Sequence, residues 1–520
     1  MLKSISDTLA PLHGTPVAQA LRHLQCGIEK EGLRLDHKGR IALTDHPQAL
    51  GSALTHGSIT TDYSEALQEF ITPVFSQPEA AISHMQQLHS FNARVLADQQ
   101  EYLWPASMPG YLAGEDDIRI AEYGRSNTGK LKHIYRVGLA WRYGKIMQCI
   151  AGMHYNFSPQ EDFWQAYQAY LGDTGCPKEF HSSHYFALIR NFRRHSWLLL
   201  YLFGASPALD ASFVGGRDVG LQAGPGDSLI GPYATSLRMS DLGYNNNVQS
   251  TLNVCFNDLP SYAKSLAHAI TTPLDQYEKI GVKVAGVYRQ LNANLLQIEN
   301  EFYSDIRPKR VARAGQKPVH ALFEGGVEYV EVRNLDLNPF LPLGMDAQQG
   351  HFINVFLVWC LLKDSPIIAD QECDWIIDNQ AKMVREGRRP DLMLHSARGQ
   401  ISMHTWGTEI LAELREVALL MPDPQACISA INTLAERLAD SSLTPSAQVL
   451  SAMQEGGMSY QQLIMQLAQQ HQQYHLQQPL PADTLRQMQV DAQQSWLDQA
   501  QLEAEQTDTF DDFLAAYLAQ

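Results

Sequence analysis

Apolar and polar residues alternate with a period of two at residues 27–35, 152–157, 291–303 and 327–337, and the pattern predicts four strands with one buried face each. Residues 61–73 add a fifth strand, which ends before Pro73 and contains Glu69. Residues 83–100 repeat their apolar positions every three to four and predict a helix. Residues 204–232 are rich in Gly, Pro, Ser and Asp, including Gly215-Gly216 and Gly224-Pro225-Gly226, and read as a long mobile loop suited to a lid. Beyond residue 345 helical patterns dominate. The Gln-rich stretch 461–500 reads there as the solvated face of surface helices. The plan is α+β: a strand-rich region over 1–345 wrapped by helices, and a mainly helical region over 346–520 packed on it.

Length and composition narrow this picture. A chain of 520 residues exceeds the usual size of one core and suggests two or three domains. With 45% hydrophobic and 18% charged residues it is an ordinary folded, soluble protein. The formal charge of −17 and the lack of a long basic run exclude nucleic acid and anionic membrane as expected partners. A nucleotide bound to so acidic a protein needs metal ions and a few Arg or Lys to offset its charge. The seven cysteines are scattered and form no Cys-x-x-Cys pair, so neither a zinc framework nor a disulfide scaffold is expected. The first residues lack the apolar core of a signal peptide, and the longest apolar stretch, 352–362, is too short to span a bilayer. A cytoplasmic protein is expected.

The chemistry sits on the strand-like segments. Glu29 and Glu31 are two apart and share a face, as do His154 and Asn156, and Glu331 and Arg333. Glu69 and the nearby Asp62 add two more acids. Like charges aimed into one space either rise in pKa or bind cations, and Mg²⁺ suits carboxylates in company with nucleotide phosphates. Arg333 has the chemistry to neutralise a phosphoryl group during transfer. Taken singly, each segment reads first as the solvated face of a sheet, and His154 alone as a hydrogen-bonded structural histidine; it is the four segments in phase that weaken that reading. The segment Gly124-Arg125-Ser126-Asn127-Thr128-Gly129-Lys130-Leu131 imitates a P-loop, but Leu131 replaces the hydroxyl that would bind Mg²⁺.

These motifs, in order, resemble the proteobacterial-type glutamate–cysteine ligases. The resemblance is carried by residues 27–34, 53–73, Trp104-Pro105-Ala106-Ser107-Met108-Pro109, Tyr123-Gly124-Arg125-Ser126-Asn127-Thr128-Gly129, 152–158, 201–207, 233–244, 297–303, Ile306-Arg307-Pro308-Lys309-Arg310 and 326–333. It implies a mostly antiparallel, curved, glutamine-synthetase-like sheet forming a partial barrel. It implies joining of the glutamate γ-carboxyl to the cysteine amine through γ-glutamyl phosphate, with ATP as co-substrate and two or three Mg²⁺ ions, for which Mn²⁺ could substitute. The metal ligands it implies are Glu29, Glu31, Asp62, Glu69, His154 and Glu331. Arg333 is the implied catalytic residue, with Arg310 as a second nucleotide contact. Tyr63, Tyr135, Arg136, Asn156, Arg238, Tyr244 and Tyr303 are the implied substrate contacts. Where well-studied members can carry a cysteine after the Ser-Met-Pro segment, this chain has Gly110. A monomer is expected. The rival readings are a related ligase using another amine and a metal-dependent phosphohydrolase.

Overall fold

The computed structural model describes residues 5–243, 252, 254–313 and 316–520. Seven strands make its central sheet: β1 (Leu24–Leu35), β2 (Ile59–Thr61), β3 (Leu67–Ile71), β4 (Tyr102–Leu103), β5 (Met153–Pro159), β6 (Ile306–Lys309) and β7 (Tyr329–Leu335). Side by side they run β6-β7-β5-β1-β3-β2, with β4 paired to the end of β1. Every pairing is antiparallel. The path has two ends, so the sheet is open and does not close into a barrel.

Directly opposed residues of an antiparallel pair share a face, and the register therefore sorts the side chains. Glu29 lies between His154 and Ile71, Glu31 opposes Glu69, and Asn156 lies between Gly27 and Glu331. The opposite face carries Ile28, Phe70, Tyr155, Phe157, Val330 and Val332, all buried. It rests on the helices Pro78–Asp98 and Ala347–Leu362, where Tyr155 donates to Asn354 Oδ1 at 2.9 Å. The second of these helices starts at Asp346, whose side chain accepts from Gln349 N–H. It is buried over almost its whole length and also packs on the helix Pro177–His195. One hydrophobic cluster runs from Ile5 to Met488, so the helices beyond residue 345 share a core with the sheet.

Two expectations of local structure need correction. Residues 291–303 form no strand: Gln297 accepts from Leu291 N–H, Asn292 accepts from Asn294 N–H, and Glu301 accepts from Gln297 N–H. Side chains there take the backbone groups that a ladder would have used. The stretch 204–232 holds a three-stranded antiparallel sheet of Ala208–Asp210, Gln222–Ala223 and Ser228–Ile230. Strands of two or three residues are too short to show a period, and glycines with positive φ at 215, 216, 220 and 226 make the turns.

The glutamines of the C-terminal helices are fasteners as well as surface. Gln461 of the helix Tyr460–Gln477 accepts from Tyr111 N–H and donates to Gly39 O, both at 2.8 Å. Gln472 donates to Glu101 O at 2.7 Å. From the helix Ala482–Ala504, Gln499 accepts from Ser52 Oγ. The P-loop look-alike is a helix start: Ser126 accepts from Gly129 N–H and caps Asn127–Tyr143. Among the described residues no helix is long and apolar enough to cross a membrane.

Candidate active site

The polar face of the sheet gathers its charges across four strands. Glu29, His154 and Glu331, from β1, β5 and β7, each present a ligand atom, and all three atoms lie within 4.8 Å of one another. His154 Nδ1 is 3.2 Å from Glu29 Oε2 and 3.7 Å from Glu331 Oε1. Asn156 donates to Glu29 Oε1 at 2.8 Å and orients it. Arg333 donates to Glu331 Oε1 at 3.0 Å and lies 3.4 Å from His154 Nδ1. Glu31 Oε1 stands 3.9 Å from His154 Nε2, while its other oxygen accepts from Gly152 N–H at 2.6 Å.

Electrostatics divides the acids into two groups. Burial works against the charge on Glu331, yet Arg333 and Lys309 hold its carboxyl well below the usual range. Burial opposes Glu29 as well, and the hydrogen bond with His154 together with the charges of His154 and Lys309 outweighs it, leaving that carboxyl below its ordinary value. Burial followed by the charge of Asp62 pushes Glu31 up to about 8. Burial and the charges of Glu29, Asp62 and Glu31 raise Glu69 well above the carboxylate range. Burial, then Arg333, lowers the His154 pKa, so its imidazole is neutral and one ring nitrogen can bind a cation.

The donor set fits a hard divalent cation. It has several carboxylates and one neutral imidazole, and Asn156 Oδ1 is buried without a hydrogen-bond partner. Beside Glu29 opens a cavity of about 580 Å³, lined in part by Gly27, Asn156, Trp164, Arg310 and Tyr329. A nucleotide fits a space of that size.

The remaining predicted residues spread around this centre. Arg136 rises from the helix Asn127–Tyr143, donates through Nε to Asp62 O and stacks 4.7 Å above the Tyr123 ring. Its guanidinium is 4.0 Å from the half-exposed carboxylate of Asp62. Tyr135 is half-buried beside Arg136, its carbonyl held by Gln297 Nε2 at 3.1 Å. The Tyr303 ring lies 5.8 Å from the Arg333 guanidinium. Arg238 is buried, and its charge is felt by Glu31 and Tyr303. Tyr63 is packed in the hydrophobic core, with its hydroxyl buried near Cys149 and Glu115. Arg310 holds the Gly325 and Gly326 carbonyls at 2.6 Å, on the flank of the nucleotide-sized cavity. Tyr244 lies outside the described residues.

Sequence reasoning missed Lys309. Its Nζ is 3.3 Å from Glu331 Oε2, and it shares the polar face with Arg307 and Glu331 because β6 pairs with β7 in that register. The spacing Arg307-Pro308-Lys309 was the available signal, since residues two apart on a strand share a face.

Fold and site together are those of an enzyme that handles phosphoryl groups. Comparison makes the family plain. The family model described as glutamate-cysteine ligase matches residues 9–383. A glutamate–cysteine ligase of Pseudomonas paraeruginosa is 49% identical over 518 residues, covering 99% of this chain and 98% of that protein. One from Hahella chejuensis is 49% identical over 509 residues, with 96% of each covered. Among solved structures, the glutamate–cysteine ligase of Francisella tularensis in complex with AMP superposes with a TM-score of 0.90 at 35% identity, covering 96% of this chain and 98% of that one. A bifunctional glutathione synthetase from Pasteurella multocida matches with a TM-score of 0.72 at 26% identity, covering 90% of this chain and 55% of that one. The chain belongs to the glutamate–cysteine ligase family.

Proposed function

We propose that this chain joins the γ-carboxyl of glutamate to the amine of cysteine at the expense of ATP, on the polar face of its sheet. The observation that carries the reading is the convergence of Glu29, His154 and Glu331 beside Arg333, next to a nucleotide-sized cavity. A carboxylate does not accept an amine near pH 7 because its oxide is a poor leaving group. The glutamate γ-carboxylate therefore attacks the terminal phosphorus of ATP and ADP leaves. The cysteine amine then displaces phosphate from the γ-glutamyl phosphate, losing a proton as the amide forms.

Each residue has a part in this. Glu29, His154 and Glu331, with Glu31, Asp62 and Glu69 alongside, would hold Mg²⁺, which when bound withdraws charge from the nucleotide phosphates. Arg333 balances the charge that develops on the phosphoryl oxygens in transit, and Lys309 stands ready on the far side of Glu331. Arg310 flanks the nucleotide. Arg136 takes a substrate carboxylate, while the buried Arg238 supports the site from behind by holding the carbonyls of Arg333 and Leu335. Asn156 orients Glu29 against the substrate, and Tyr135 and Tyr303 wall the pocket. Tyr63 supports that wall from the core, and Tyr244 is assigned to it on resemblance alone. The enzyme acts as a cytoplasmic monomer in this reading.

The test is ADP release with glutamate fixed, a panel of amines varied, and Mg²⁺ present or removed. Cysteine-dependent release that vanishes without the metal is the expected result. Preference for another amine would point to a related ligase. ATP turnover indifferent to both amino acids would point to a phosphohydrolase and end the reading.

A further inference from the structure

Strand β7 carries one residue too many for its neighbour. Val332 pairs with Tyr155 and Leu335 with Met153, so three steps along β7 match two along β5, and a bulge falls at Arg333–Asn334. The extra residue turns Leu335 into the apolar face beside Met153, where simple alternation from Val332 would have put Asn334. Bulges re-aim side chains, and the one re-aimed here is next to Arg333.

The bulge is held from outside the sheet. Arg238 donates from Nη2 to Arg333 O at 2.9 Å and from Nη1 to Leu335 O at 3.2 Å, spanning the two carbonyls on either side of Asn334. Gly152 makes room for this, because a Cβ there would lie 2.2 Å from Arg238 Nη2. Arg238 is secured in turn by Asp336, whose side chain is wholly buried just past the end of β7. Asp336 Oδ2 accepts from Ala205 N–H at 2.8 Å and from Ser206 Oγ at 2.6 Å, and Oδ1 accepts from Ser236 Oγ at 2.8 Å. Ser206 Oγ also accepts the backbone N–H of Arg238 at 3.3 Å, and Arg238 Nη1 is 3.9 Å from Asp336 Oδ1. One buried carboxylate thus ties residues 205–206 and 236–238 to the strand that carries Arg333.

We propose that Asp336 is a positioning residue which, through Arg238, pins the bulge at Arg333–Asn334 and sets the direction of the Arg333 guanidinium. This rests on the reading that Arg333 meets the phosphoryl group. Asp336→Asn keeps the size of the side chain and removes its charge. Turnover per folded molecule should fall about thirtyfold, while the KM values for glutamate, cysteine and ATP stay within about twofold. In an Arg333→Gln background the same substitution should cost less than about twofold more, since the group it aims is gone.

Turnover within twofold of the parent would overturn the proposal. So would an undiminished loss in the Arg333→Gln background, or a raised glutamate KM with kcat intact, which would tie Asp336 to a substrate contact of Arg238 instead. Near-normal turnover by Arg333→Gln alone would defeat the functional reading first, and the pin with it. If Asp336→Asn does not fold, Ser236→Ala, which removes one donor to Asp336, decides by the same criteria with an expected loss of about fivefold.

Discussion

On β1 three consecutive residues bury charge in two different ways. Glu29 and Glu31 project to the polar face among other acids. Lys30, between them, projects to the apolar face, where its ammonium meets His89 Nε2 at 2.8 Å and the carbonyl of Pro342 at 3.5 Å. Burial drives Lys30 down to about 7, so the protein can relieve that charge by letting its proton go. The polar face cannot relieve itself in one way: Glu331 and Glu29 stay ionised, and Glu31 and Glu69 keep protons until something positive arrives. A buried charge that is provided for internally marks structure. A set of like charges that is not provided for marks a place where a ligand completes the electrostatics.

Substitutions on the two faces should separate accordingly. The largest loss is expected from Glu331→Gln or Glu29→Gln: turnover should fall by on the order of a thousandfold in an ADP-release assay, with the circular dichroism spectrum unchanged. Retained turnover would remove these residues from the metal set. Arg333→Gln should lower kcat about a hundredfold with a nearly constant KM for glutamate, as expected for a group that works in the transition state.

A third experiment reads stability against pH. Without metal, the Glu31 carboxyl binds its proton more tightly folded, at about 8, than unfolded, where the ordinary value of 4.5 applies. The folded state then holds more protons between those values, so stability should decline as pH rises from about 5 to 8. Added Mg²⁺ should reverse the decline, and Glu31→Gln should lessen it in thermal melts without metal, the remainder coming from Glu69. The smallest effect on activity belongs to the other face: Lys30→Met should keep turnover within about twofold. Its thermal midpoint should gain most below pH 7, where the native Lys30 must hold a proton against burial. A collapse of activity in Lys30→Met would erase the contrast between the faces.

Much of this site was legible because strand periodicity is short and exact in its consequence. Glu29 with Glu31, His154 with Asn156, and Glu331 with Arg333 fall on one face by parity alone, and the structure puts those three pairs side by side. Parity says nothing about which strands become neighbours, so Lys309 went unnoticed although it obeys the same rule. It also fails where the count is broken: the residue inserted at Arg333–Asn334 leaves no mark in composition, and the part played by Asp336 follows from it. Residues 291–303 alternate as well as any strand, but their Asn, Gln and Glu side chains bind the local backbone instead. The family resemblance conveyed the activity, which the alternating pattern alone left open among several reactions.

The glutamine seam of the C-terminal helices has an uneven tolerance for change. Gln461 and Gln472 grip the main chain at Tyr111, Gly39 and Glu101, and every residue type but proline offers the same amide and carbonyl there. The helical bank of the seam depends on particular side chains, while most of the gripped bank can drift in identity and still be held. Two glycines are the exceptions: Gly39 has φ +76° and a Cβ there would lie 2.6 Å from Gln461 Nε2, and a Cβ at Gly110 would lie 1.9 Å from Gln461 Oε1. A cysteine could enter at position 110 only if the glutamine first let go.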